Sequence, residues 1–177
     1  LVSNQKHVHN LLTKYTDACF LYLRRQVQSG ADVIQIFDSW ANLLTKEALI
    51  EFSFNYINSL ISALKLDPVT KDIPVIIFAR NPKCNIEELI NTSADCISLF
   101  WSMNDLNFEI AKNRVAIQGN LDPKILLESD ETIKRETYKI LERFKEYPGY
   151  IFNLGHGITP DISPDKIKYL TNIVREY

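Results

Sequence analysis

Glycine is scarce in this sequence, with five in 177 residues. No glycine-rich phosphate loop, dinucleotide fingerprint or nucleophile elbow is found, so nucleotide chemistry and hydrolase-type serine catalysis have no motif to stand on. Cysteine is scarcer still. Cys19, Cys84 and Cys96 are scattered and odd in number, which fits neither a disulfide framework nor a zinc cluster. Reduced thiols in a cytoplasmic protein are the expectation. An excess of one charge sign is also lacking: the net charge is -2, so no basic field attracts nucleic acid or an anionic membrane. No apolar run approaches the roughly 20 residues of a membrane span, and no charged-then-apolar leader opens the sequence.

What is present is ordinary for a soluble globular domain: 46% apolar and 24% charged residues, on a length that supports one sizeable core. The sequence starts at Leu1, not Met, on polar residues that already read as helix. A piece of a longer protein is therefore expected.

Two periods alternate along the chain. Val8, Leu11, Leu12, Tyr15, Cys19, Tyr22, Leu23 and Val27 recur at three- and four-residue steps and predict an amphipathic helix stopped by Gly30. Residues 33–37 are a short β-rich run closed by Asp38 and Ser39. Thr45 can cap a second helix to about Leu66, with Leu49, Phe52, Tyr56, Leu60 and Leu64 on one face. Residues 74–79 form a continuous apolar run of strand length. Asn85 with Glu88 three residues on reads as a capping box. Residues 96–100 and 115–117 predict two more strands, with a helix over 104–112 between them. Ser129 caps a long helix to about Tyr147, with Ile133, Ile140, Leu141 and Phe144 as its buried stripe. Residues 150–154 are the last strand, and Ser163 with Pro164 opens the closing helix.

The order is α, then β-α five times. Strands apolar throughout are buried on both faces, as in parallel sheets, and each crossover carries a helix. This is an α/β protein. Five βα units fit part of an eight-stranded barrel or an open doubly wound sheet, and the pattern leaves both open.

In either architecture active residues gather at the C-terminal ends of strands. Those positions hold Phe37, Asp38, Ser39 and Trp40; Arg80; Trp101; Gln118, Gly119, Asn120 and Asp122; then Asn153, Gly155, His156 and Gly157. His156 is the one histidine at a strand end. His7 and His9, two residues apart on a helix, do not face each other and read as a solvated face, not a metal site.

Three of these segments carry a family resemblance. Residues 30–41 (GADVIQIFDSWA), 118–123 (QGNLDP) and 153–158 (NLGHGI, with Pro160) resemble, in order and spacing, motifs of the uroporphyrinogen decarboxylases. The resemblance implies a single (β/α)8 TIM-type barrel, usually paired as a homodimer, from a chain about twice this length. Residues 1–177 would be the C-terminal five βα units of that barrel. It implies stepwise decarboxylation of the four acetate side chains of uroporphyrinogen III to coproporphyrinogen III in haem biosynthesis, with no metal or organic cofactor. Ser39 and His156 carry over as polar contacts to substrate carboxylates, and Phe37 as cleft wall. The family's active-site arginines, aspartate and tyrosine belong to the N-terminal half. No catalytic residue is assigned within 1–177, and the fragment alone is expected to be inactive. Asn42, Ser93 and Ser98 stand where the family favours glycine, Asn55 where it favours proline, and Phe100 where it has an aspartate.

Two other readings compete. A corrinoid-dependent methyltransferase shares the barrel but needs zinc held by histidine and cysteines at strand ends, and only Cys84 lies near such a place. A non-catalytic half barrel would leave unpaired strand edges and need its N-terminal partner.

Overall fold

The computed structural model describes residues 4–103 and 108–177. The described helices are α1 (Gln5–Gln28), α2 (Lys46–Leu49), α3 (Asn55–Leu66), α4 (Ile86–Ile90), α5 (Asp130–Phe144) and α6 (Pro164–Glu176). The strands are β1 (Ile34–Asp38), β2 (Val75–Ala79), β3 (Cys96–Ser98), β4 (Ala116–Gln118) and β5 (Tyr150–Ile151). They form one five-stranded sheet in the order β1-β2-β3-β4-β5. β1 runs parallel to β2 with Ile34 opposite Val75 and Asp38 opposite Ala79. β4 runs parallel to β5 with Gln118 opposite Ile151, and a parallel bridge between Leu121 and Leu154 prolongs the pairing. The α/β expectation holds. Of the helix expected over 104–112, residues 104–107 lie outside the described residues, and Phe108–Ile110 is a 3₁₀ turn instead of α-helix.

The chain divides into two compact units, Leu1–Ile97 and Ser98–Tyr177. In the first, α1 ends where Gly30 takes φ +100°, a left-handed conformation that favours glycine. α1 packs on α3, yet Leu23 is its one buried residue among those described, while Leu11, Tyr15, Leu21 and Tyr22 stay exposed. β2 is buried along its whole length, as a doubly covered strand must be.

The helix expected from Thr45 to Leu66 is interrupted. Thr45 does accept the Ala48 N–H, and α2 starts there. Ile50–Phe54 then widens into a π-turn before α3 resumes. Burial shows the consequence: it steps five residues from Leu49 to Phe54, then returns to helical steps at Ile57, Leu60, Ile61 and Leu64. Phe52 and Tyr56, expected on the buried stripe, are therefore only half-buried.

In the second unit, Ser129 and Ser163 cap α5 and α6 as expected, through the N–H groups of Thr132 and Asp165. The two helices close over a core of Leu121, Leu126, Ile133, Ile162, Leu170 and Ile173. Thr137 joins the buried stripe of α5, and Ile140 lies at its margin.

Candidate functional site

The strand ends of the first unit carry Phe37 and Ser39. Phe37 is the penultimate residue of β1 and is exposed, its ring tilted at 59° to Phe78 with centroids 5.9 Å apart. Ser39 follows the strand and is exposed as well. Between them, Asp38 is held from several directions. Its carbonyl accepts the Arg80 N–H at 3.0 Å, continuing the β1–β2 pairing. Its carboxylate Oδ1 accepts the Trp40 N–H at 3.2 Å, and Oδ2 accepts the Ser53 hydroxyl at 2.5 Å. A cavity of about 370 Å³ opens beside this strand end, and Phe37, Asp38, Trp40, Phe52, Ser53 and Tyr56 are among its lining. A mostly apolar hollow with a few placed polar groups is the usual form of a ligand site.

Nothing in the sequence marked Ser53 for this place, and Tyr56 was expected only as part of its helix's apolar face. Ser53 lies within the π-turn and Tyr56 just after it, in α3.

In the second unit, His156 sits exposed on the loop after β5, its ring edge-on to Phe100 at 88° with centroids 5.9 Å apart. The loop is held by Gly155, whose N–H donates to the Leu121 carbonyl at 2.7 Å. A Cβ built on Gly155 would lie 2.3 Å from the Trp101 nitrogen, so glycine is required by close backbone approach. Gly119, after β4, has φ +126° and lies against Leu99. The three resembling segments thus sit at the ends of β1, β4 and β5. Ser39 and Phe37 belong to one unit, and His156 to the other.

Two departures from the family pattern find local explanations. The Ser98 hydroxyl accepts the buried Gln118 side-chain amide at 3.0 Å. Phe100 is buried and forms the other half of the T-shaped ring pair with His156.

His9 does not lie on a solvated face as expected. It is half-buried, with Nδ1 2.7 Å from the Tyr56 hydroxyl, Nε2 3.2 Å from Glu51, and its ring stacked on Phe52. Helix α1 packs that face onto the π-turn, so the histidine is taken up in an interhelical contact. Among the described residues no three His, Cys, Asp or Glu side chains converge as a metal site would require.

The family model of uroporphyrinogen decarboxylase (URO-D) matches residues 1–177. A uroporphyrinogen decarboxylase of Ruthia magnifica is 37% identical over 100% of this chain and 51% of its own length. That of Chlorobaculum tepidum is 40% identical over 97% of this chain and 49% of its own. The chain spans about half the length of the curated relatives it matches. A solved methyltransferase from Methanosarcina mazei has a TM-score of 0.69 over 91% of this chain and 47% of its own, at 21% identity, which speaks for the fold alone. With the motifs at three strand ends and the match running from the first residue to the last, the chain belongs to the uroporphyrinogen decarboxylase family.

Proposed function

We propose that this chain supplies the C-terminal five βα units of a uroporphyrinogen decarboxylase, which removes carbon dioxide from the four acetate arms of uroporphyrinogen III. The observation that carries the reading is the family match along the whole of residues 1–177. The rest of the barrel would come from an N-terminal portion. Two features support that division. β1 is the outermost strand of the sheet, and α1 immediately precedes it. A right-handed βαβ crossover through α1 would bring a preceding strand, parallel, to the free side of β1. The exposed Leu11, Tyr15, Leu21 and Tyr22 on α1 are apolar surface that such a portion would cover.

In this reading Ser39 and His156 donate hydrogen bonds to substrate carboxylates, and Phe37 forms part of the cleft wall. The N-terminal portion supplies the arginines, aspartate and tyrosine that bind the remaining carboxylates and stabilise the protonated pyrrole from which carbon dioxide departs. No metal or organic cofactor takes part, and the complete enzyme is a cytoplasmic homodimer. The methyltransferase alternative is less well supported. Among the described residues no histidine and cysteines converge with Cys84 as a zinc-held site would require.

The test is co-expression of residues 1–177 with the N-terminal half of the Chlorobaculum tepidum relative, followed by an assay for coproporphyrinogen. Product from the paired halves and none from residues 1–177 alone is the expected result. Product from the isolated chain, or a stable pair that leaves the substrate untouched, would overturn it.

A further inference from the structure

We propose that Ser53 is a positioning residue: through the Asp38 carboxylate it fixes the loop after β1 that carries Ser39. The inference rests on the reading of Ser39 as a substrate contact.

Asp38 is the last residue of β1, and Ser39 is its neighbour. Main-chain pairing holds Asp38 on the β2 side, where its carbonyl accepts the Arg80 N–H. Its Oδ1 accepts the Trp40 N–H and so folds the loop over Ser39. One such contact leaves the carboxylate free to turn about its side-chain bond. The Ser53 hydroxyl removes that freedom by donating to the other oxygen, Oδ2, at 2.5 Å. A hydroxyl on a carboxylate at this distance is a charge-assisted bond, roughly twice as strong as a neutral one.

Ser53 reaches Asp38 because of the π-turn. In an uninterrupted helix a residue four after the buried Leu49 would share its face. The widened Ile50–Phe54 turn gives the buried place to Phe54 and leaves Ser53 half-buried on the cavity wall. Helical widenings of this kind recur at functional sites. Ser53 lies 15 residues from Asp38 along the chain, so the bond ties two separate elements at the point where Ser39 leaves the sheet.

The variants are Ser53→Ala, which deletes the hydroxyl, and Ser53→Thr, which keeps it. Two readouts are used. In residues 1–177, amide exchange at Trp40 is expected to quicken about tenfold in Ser53→Ala, with the β2 amides unchanged, and to stay at the wild-type rate in Ser53→Thr. In the paired halves, Ser53→Ala is expected to raise KM for the eight-carboxylate substrate about tenfold at nearly constant kcat, and Ser53→Thr to restore it. Unchanged Trp40 exchange, or faster exchange throughout β2 with no selective effect at Trp40, overturns the proposal. So does an unaltered KM in a folded Ser53→Ala pair. If the wild-type pair forms but has no activity, the functional reading fails, and Trp40 exchange alone decides whether Ser53 positions the loop.

Discussion

Replacing Gly155 by alanine tests how the His156 loop is held. The added methyl would stand 2.3 Å from the Trp101 nitrogen, 2.5 Å from its Cα and 2.7 Å from its Cβ. These are main-chain and Cβ atoms, so no side-chain rotation relieves them. The loop itself must move, and forced overpacking of this kind costs about 1–3 kcal/mol. Movement also stretches the hydrogen bond from the Gly155 N–H to the Leu121 carbonyl, now 2.7 Å, worth roughly 0.5–1.5 kcal/mol. Together these suggest a loss of roughly 2–4 kcal/mol, or a fall in Tm of about 5–15 °C for a protein of this size.

Gly157 provides the control on the other side of the same histidine. A Cβ there meets nothing within 4 Å, so Gly157→Ala should stay within about 0.5 kcal/mol of the parent. Circular dichroism melts and urea titrations of the three proteins make the comparison. A Gly155→Ala melt within about 2 °C of the parent, or equal losses for both variants, would refute the steric argument.

In the paired halves, Ser39→Ala and His156→Asn should each lower kcat/KM about ten- to a hundredfold, the worth of one hydrogen bond to a charged group, and unchanged kinetics in both would remove them from the site. Glu88→Ala should destabilise by about 1–2 kcal/mol at neutral pH, because it removes the bond to the Asn85 N–H (2.7 Å) and the Lys46 ion pair (2.5 Å). Burial alone would raise the Glu88 pKa, but the Lys46 hydrogen bond, the Asn85 N–H and the Lys46 charge outweigh it and hold the carboxyl below its ordinary 4.5; the difference between variant and parent should therefore persist above that pH and shrink as acid protonates the folded state. Burial raises the Cys96 thiol as it does that of Cys84, both to about 12, while Cys19 is exposed, so a thiol reagent at pH 8 should label one cysteine rapidly and lose that phase in Cys19→Ser. Asn42→Gly should leave stability unchanged or raise it by about 1 kcal/mol in urea titrations, since Asn42 Oδ1 is buried without a partner among the described residues and losing it outweighs the glycine backbone cost; a loss of stability would count against this.

Much of the fold was legible because its signals are local. The caps at Thr45, Asn85, Ser129 and Ser163 each depend on residues within three positions, and all four form. The apolar runs marked β2 and β3 because strands buried on both faces leave no polar alternation. Strand length was less legible. The last strand, expected over 150–154, pairs regularly only at Tyr150–Ile151, because Gly119 and Asn120 interrupt the ladder before Leu154 meets Leu121. The half-burial of His9 depends on Glu51 and Tyr56, more than forty positions away, which the periodicity of α1 does not contain, and the π-turn interrupts a stretch that read as one continuous helix.

The candidate site divides in the same way. Motif spacing put Phe37, Ser39 and His156 at strand ends, since that depends only on where strands stop. It could not show what holds them there. Ser53 on Asp38, the Trp101 backbone against Gly155, and the Phe100 ring against His156 all arise from tertiary contact. These contacts also bear on the positions that depart from the family pattern. The Ser98 hydroxyl accepts the Gln118 side-chain amide, and Phe100 fills buried space beside His156. Asn42 alone among these three leaves a buried atom unmet. Ser93, where the family favours glycine, takes φ +64°, a left-handed conformation that strains a serine, so Ser98 and Phe100 are accommodated by their neighbours while Asn42 and Ser93 are not.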